Sequence, residues 1–511
     1  MKGIKHSDGL DGNRPERTGK VKKAAGNRIN RREFVGGTLA AGALVAGAPA
    51  LLRGQNLNNK LDIAFIAVGG RARGNMRSLL MIPGEEPRRP GTPDPHAGPH
   101  PDENCVVLCD IDQNYLDAAS AKFPKAKTYK DFRRVFDHPD DFDAVVISVA
   151  EATHAVATYL ALTHGKHVYC EKPLTYNIQE SRLIGETAAK YPHLSTQTGN
   201  GGHARHSRRT VREILDTGVI GPVREVHVWA DRAWGLQDAA SAEKFDKVHG
   251  FYEGVQIVDR FKEEFPIPEH LDWDLWLGPA PWRPYHPTYF PGPRWYRWWD
   301  FGNGTMSDLG GHDNDVPYMV LDMWHDDGKG GRFMAPKTIE AYSPNVPVAH
   351  KELAPATMRV TYEYEATASQ PAFKLVWYQG DIKPPGWQES WGGRSNVFIG
   401  DNGMLIGGRE PKLLPEEKFK DFEMPPERLP RSPGHYVEWV NYAKGNGPVP
   451  GSNFQYNGWT TEANHLGNVA YRTGKKIEWD YKNMKAVNAP EAEPYIRRME
   501  YRKGGENILK F

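Results

Sequence analysis

Three side chains of types able to move protons recur in motifs that fit one site. Lys172 lies in Glu171-Lys172-Pro173, and Asp308 and His312 stand four residues apart in GTMSDLGGHDND. An i,i+4 pair shares one face if its segment is helical. The carboxylate can then fix the imidazole's tautomer and raise its basicity, or both groups can grip adjacent hydroxyls. Oxidising a carbinol by hydride loss needs a base within hydrogen-bond reach of the hydroxyl. His312 is the candidate base; the competing reading is a histidine that satisfies a buried polar pocket. Asp315, three residues further on, is a candidate substrate ligand, although Gly310-Gly311 and Pro317 argue against an undisturbed helix.

The elements that must position these groups begin at Leu61. LDIAFIAV is apolar with little alternation, as a central parallel strand buried on both faces requires. The turn Ala67-Val68-Gly69-Gly70-Arg71-Ala72-Arg73-Gly74 follows, then the helix-compatible NMRSLLMI. Strand, glycine turn and helix form the context in which backbone N–H groups at a helix N-terminus cradle a pyrophosphate. Ala67 replaces the first glycine of the dinucleotide fingerprint and is expected to strain the turn. The next strand, VVLC, ends in Asp110, where a carboxylate bonds adenosine ribose hydroxyls and repels a 2′-phosphate, so NAD is preferred over NADP. The long gap between Gly69 and Asp110 is taken up by a Pro/Gly-rich surface insertion, 83–103.

DAVVISV gives another buried strand, with Ser148 near its carboxyl end and His154 in the following SVAEATHA segment. The strand HVYC then delivers Glu171, expected to anchor cofactor or turn, and Lys172. An ammonium beside a cationic nicotinamide is opposed electrostatically, so its pKa is expected to fall towards useful acid/base values; the alternative is a plain ion pair with Glu171. The cofactor set is therefore Ala67, Gly69, Gly70, Arg71, Ala72, Asp110, Ser148, His154, Glu171 and Lys172. Gln197, Asn200 and His203 in QTGNGGH are cleft candidates, Asn200 and His203 as substrate ligands. The cluster 295–299, WYRWW, offers Trp299 as a sugar-stacking wall with Arg294 or Arg297 for hydroxyls; equally, its aromatics suit a domain interface.

Composition limits the partners. Sixty-five Lys+Arg against 64 Asp+Glu leave a formal charge of +1 over 511 residues, so no global charge attracts nucleic acid or an anionic membrane, and a small neutral ligand fits better. Cys105, Cys109 and Cys170 fall in strand-like runs and read as small buried hydrophobes; no CxxC or HExxH spacing supports a metal. Residues 1–57 read as a signal and linker. Asn30-Arg31-Arg32-Glu33-Phe34-Val35, followed by a Gly/Ala-rich apolar run, resembles a twin-arginine export signal, with Ala48-Pro49-Ala50 as a cleavage site. Export to the periplasm or beyond follows, with no membrane association of the mature chain.

Taken together, AVGGRARG, the strand-end Asp110, SVAEATHA, GKHVYCEKPL and GTMSDLGGHDND, in this order, resemble the Gfo/Idh/MocA family over roughly residues 58–480. The resemblance implies an α/β fold: an NAD-binding Rossmann domain with a doubly wound parallel sheet (58–200), then an α+β domain with an open, mainly antiparallel sheet (201–480). C-terminal helices near Tyr436 to Lys444 and Thr460 to Thr473 return to the first domain, leaving a tail, 481–511. It also implies that Lys172 contacts substrate hydroxyl and cofactor, that the bond before Pro173 is cis, that the substrate is a sugar or polyol, and that the chain forms a homodimer or homotetramer. An exported enzyme meets little free NAD, so the cofactor is expected to be loaded before export and returned to its starting state each cycle. Hydride shuttling between two substrates satisfies this, as does transient sugar oxidation that cleaves a glycoside; a redox-silent sugar-binding protein is the third alternative.

Overall fold

The computed structural model describes residues 59–86, 97–233, 235–236, 259–290, 293–325, 332–367, 370–498, 500–502 and 505–511. The twin-arginine segment, residues 87–96 of the insertion and the side chain of Arg294 lie outside them. No helix of the described residues is long and apolar enough to cross a membrane.

The first sheet has six parallel strands: β1 (Asp62–Ile66), β2 (Asn104–Cys109), β3 (Lys127–Tyr129), β4 (Ala144–Ile147), β5 (His167–Cys170) and β6 (Thr196–Thr198), in the order β3-β2-β1-β4-β5-β6. Ile63 to Ile66 and Ala144 to Ile147 are at most 1% exposed because helices cover both faces, which explains the unbroken apolar runs. The order reverses between β1 and β4, the place where a doubly wound sheet opens a crevice at its strand carboxyl ends. Asp112, just past β2, caps the helix Gln113–Ser120 by accepting from Asn114 N. Cys109 and Cys170 are buried, Cys105 is half-buried, and all three are free thiols.

A second sheet begins with β7 (Val223–Ala230). After the short pair β8 (Trp324–His325) and β9 (Arg332–Phe333) come β10 (Thr338–Tyr342), β11 (Met358–Tyr364), β12 (Phe373–Gln379), β13 (Arg394–Gly400), β14 (Gly403–Gly407), β15 (Lys412–Leu414), β16 (Ile477–Asp480) and β17 (Lys485–Ala486). The nine-stranded order is β15-β14-β13-β7-β12-β11-β10-β16-β17. Only β7 and β12 run parallel; the other pairs are antiparallel. β11 alternates strictly, with Met358, Val360, Tyr362 and Tyr364 turned into the core beside Met306, Leu309, Leu466 and Val469. The helix Gly304–Asp313 that carries Asp308 and His312 is thus fixed by core packing through Met306 and Leu309.

Two helices return to the first domain. Tyr436, Trp439 and Val440 of His435–Ala443 join the core around β1 and β5, and Phe454–Thr473 crosses Ile178–Lys190 so closely that a Cβ on Gly458 would fall 2.8 Å from Ser181 O. The segment after 480 is not a loose tail: β17 edges the large sheet, and Tyr501 and Leu509 are buried against the first domain's core.

Candidate active site

The turn after β1 holds Ala67 at φ +71°, the left-handed conformation a glycine would take without cost, while its N–H donates to Cys109 O at 2.8 Å. The expected strain is therefore present. Ala72 is fully buried and seats the helix Gly70–Leu79 on the sheet. The Asp110 carboxylate accepts from the N–H groups of Val68 (2.8 Å), Gly69 (3.2 Å) and Asp112 (3.0 Å), bracing the turn. Burial raises its pKa, and those three N–H groups oppose the rise. A carboxylate offers about four lone-pair positions, so one stays open for a hydroxyl.

A cavity of about 440 Å³ runs from this turn to the second domain, lined by Ala67, Gly69, Gly70, Arg71, Asp110, Ser148, His154, Glu171, Lys172 and Asp308 among others. That volume lies in the range of cofactor and ligand sites. The residues fit a dinucleotide: Gly70 leaves the cavity open where any Cβ would project, and Asp110 lines the same end of the cavity. Serine and histidine brace the walls. Ser148 Oγ accepts from Asn75, and both ring nitrogens of His154 lie against carbonyls, Pro173 O at 2.6 Å and Val149 O at 3.1 Å. His154 thereby ties the loop after β4 to the cis Lys172-Pro173 turn after β5.

At the far end the Lys172 ammonium pairs with Asp308, donating to its carboxylate and, at 3.1 Å, to its backbone carbonyl. The second Asp308 oxygen lies 3.4 Å from Arg232. Glu171 is not the lysine's partner: it accepts from Arg71 Nε at 2.8 Å and Asn75 Nδ2 at 3.0 Å, facing the glycine turn. The ring of Tyr296, stacked on Trp295, sits 5.6 Å from the ammonium, and both aromatics line the cavity.

Several expected neighbours are placed differently. Asp308 and His312 do share a helix, but Asp308 is engaged by Lys172 and Arg232, and His312 Nδ1 instead meets Asn200 Oδ1 at 3.1 Å. Burial first, then the charges of Lys172, Arg394, Arg208 and Arg71, push the His312 pKa well below its ordinary value, so the ring is neutral at pH 7. The helix ends at Asp313 and a new one starts at Asp315, which turns that carboxylate away. Asp315 is buried, ion-paired with Arg208 and bonded by Tyr456 Oη (2.7 Å) and His203 Nδ1 (3.1 Å). Asp315 and His203 therefore form an internal network outside the cavity wall, in place of the expected substrate contacts. Asn200, 1% exposed, serves His312 and does not line the cavity. Gln197 is buried against His435. Trp299 is 2% exposed, donates to His350 O and carries the Arg472 guanidinium on its ring, so it packs the interior, as buried Arg297 does; Trp295 and Tyr296 take the wall position expected of Trp299.

The residue that sequence reasoning missed is Glu151. It opens the helix Glu151–Thr163, is fully buried, and accepts at Oε1 from Asn303 Nδ2 (2.6 Å) and Ser307 Oγ (2.8 Å), directly behind Asp308. Burial pushes its pKa up to about 8, with Asn303, Ser307 and Lys172 opposing. An acid in the first turn of a helix reads as a dipole match, and only the arrival of Asn303 and Ser307 marks it out.

Known proteins resemble this chain domain by domain. Residues 94–197 match the description "Oxidoreductase family, NAD-binding Rossmann fold" and residues 244–369 match "Oxidoreductase family, C-terminal alpha/beta domain". The chain is thus similar, domain by domain, to the Gfo/Idh/MocA oxidoreductase family. Inositol 2-dehydrogenase of Salmonella typhimurium is 29% identical over 123 residues, and myo-inositol 2-dehydrogenase of Thermotoga maritima is 29% identical over 116. Those stretches span 24% and 22% of this chain and only 36% and 34% of the relatives. The crystal structure of the WlbA dehydrogenase from Bordetella pertussis in complex with NADH and UDP-GlcNAcA superposes with a TM-score of 0.51 at 14% identity, covering 82% of this chain and 99% of that one. That likeness establishes the Gfo/Idh/MocA fold, and the matched first domain is an NAD-binding Rossmann domain.

Proposed function

We propose that the chain is an NAD-dependent oxidoreductase that moves hydride between a tightly held nicotinamide and a carbinol carbon of a sugar or polyol. The observation that carries this reading is the single cavity joining the glycine turn and Asp110 to the Lys172–Asp308 pair. NAD, when bound, supplies the hydride acceptor. Lys172, steadied by Asp308, donates to the reacting oxygen and holds it in place. His312, neutral at pH 7, lies one helical turn beyond Asp308 and outside the cavity lining; its role in this reading is to take the hydroxyl proton. Trp295 and Tyr296 offer flat apolar faces of the kind that pack against sugar C–H groups. The inositol dehydrogenases among the relatives support a polyhydroxylated substrate. With Met1–Leu57 acting as a twin-arginine signal, the cofactor is loaded before export and stays bound through turnover.

The test is to purify the chain and follow its nicotinamide absorbance while polyols, aldoses and glycosides are added in turn. Reduction of bound NAD by a polyol or aldose, reduced by about 10²–10⁴-fold in rate in His312→Ala, is the expected result. Tightly bound NAD that no sugar reduces, or release of product from glycosides with no other activity, would overturn the assignment.

A further inference from the structure

A neutral imidazole has one donor nitrogen and one acceptor nitrogen, so a histidine that takes a proton must have its bare nitrogen fixed by whatever holds the other. In the sequence Asp308 is the natural candidate for that task. The structure gives Asp308 to Lys172 and Arg232, and His312 Nδ1 meets Asn200 Oδ1. A carbonyl oxygen only accepts, so this contact puts the proton on Nδ1 and leaves Nε2 with its lone pair. Nε2 has no hydrogen-bond partner among the described residues.

The amide is held in that orientation. Asn200 sits in a tight turn after β6, its N–H donating to Thr198 O and its carbonyl accepting from His203 N. A Cβ on Gly202 would lie 2.6 Å from Arg208 Nη2 and 3.5 Å from Asn200 Oδ1, so a guanidinium and the amide oxygen border the same small space. Turning the amide over would put its NH2 in place of that oxygen, on the space the guanidinium also borders. Arg208 is itself pinned by Asp315 and donates to the backbone carbonyl of His312 at 2.6 Å. The internal network of Asp315, Arg208, His203 and Tyr456 thus braces both the imidazole's backbone and the amide that faces its ring. Asn200 Nδ2, buried without a partner, shows that the amide is retained despite an unmet donor.

We propose that Asn200 is a positioning residue that sets the tautomer of His312, holding Nδ1–H so that Nε2 is the proton acceptor. This rests on the reading of His312 as the base. Asn200→Ala in the NAD-loaded protein should lower kcat by roughly 10²-fold or more while NAD content and sugar KM change little, since tautomer control of a catalytic histidine is worth up to about 10⁴-fold. Asn200→Asp still accepts from Nδ1–H but adds a negative charge beside a ring that otherwise faces Lys172, Arg394, Arg208 and Arg71. It should keep much of the activity and move the acid limb of the kcat–pH profile up by about one unit. Nitrogen NMR of histidine-labelled protein, assigned with His312→Asn, should show Nε2 unprotonated in the wild type. An unshifted acid limb in Asn200→Asp, or a bare Nδ1 in the spectrum, would overturn the proposal. Full turnover in His312→Ala would instead overturn the role of the base, and the NMR result would still decide the tautomer.

Discussion

Removing the Lys172 ammonium separates its structural weight from its chemical one. The Lys172 and Asp308 side chains are 15% and 4% exposed, so Lys172→Met leaves a buried carboxylate with Arg232, 3.4 Å away, as its remaining cation. Breaking a buried pair by deleting one partner costs about 3–5 kcal/mol, whereas replacing both partners with neutral groups is close to neutral. Arg232 and the lysine's partial exposure reduce the first figure to about 2–3 kcal/mol. Lys172→Met with Asp308→Asn should recover about 2 kcal/mol of that loss, a coupling measurable as a double-mutant cycle of urea midpoints on cofactor-stripped protein. Neither variant should turn over, because the recovered protein still lacks the cation proposed to hold the substrate oxygen. A Lys172→Met protein as stable as wild type, or strictly additive midpoints, would refute the view of the pair as a coupled buried unit. Recovery of turnover in the double variant would refute the chemical role.

Two further substitutions test the turn and the acid behind the site. Ala67→Gly relieves a left-handed alanine worth about 1–2 kcal/mol and gives back about 0.4–1 kcal/mol through the freer unfolded chain. A gain of about 0.5–1 kcal/mol in thermal or urea stability should follow, without loss of NAD affinity, and a neutral or negative change would count against strain in the turn. Glu151→Gln tests the raised carboxyl. Below pH 4.5 the acid is protonated folded and unfolded; as pH rises the unfolded chain ionises first while the folded one holds its proton to about 8, so stability drains away between these values. At pH 7 that loss is about 3 kcal/mol at 1.36 kcal/mol per unit. Gln cannot ionise, so the variant should be more stable than wild type at pH 7 and lose the advantage near pH 4; a stability difference that is flat with pH would contradict the assignment.

The first sheet was legible because its signals are local. Unbroken apolar runs, a glycine turn and an acid at the next strand end each report on a few adjacent residues, and β1, β2, β4 and β5 lie where those runs lie. The residues expected on the cofactor side hang on the same strand ends, and all of them but Ala72 line one cavity. Trp299 could not be told from Trp295 in WYRWW, because both are large aromatics in a loop and only packing against the Arg472 helix buries one of them. Asp315 was misread for a related reason: the break after Asp313 rotates it towards Arg208, whose approach from the helix His206–Asp216 has no signature near residue 315.

The reassignment of partners between Asp308 and His312 has a geometric cause that no single segment contains. Lys172 follows the last residue of β5 by two positions, and Asn200 follows the last residue of β6 by two. β5 and β6 are parallel neighbours, so these two side chains rise from strand ends about 4.8 Å apart. The helix Gly304–Asp313 passes over those ends, and residues four apart along it are offset by about one turn, roughly 5.4 Å. The two spacings nearly match. Lys172 therefore meets Asp308 while Asn200 meets His312, giving one cross-domain contact per helical turn in place of an exchange within the helix. An i,i+4 pair on an isolated helix would satisfy itself; laid across a parallel sheet edge, each member is taken by the strand beneath it, and the site has two separately tuned groups, a held ammonium and a neutral imidazole.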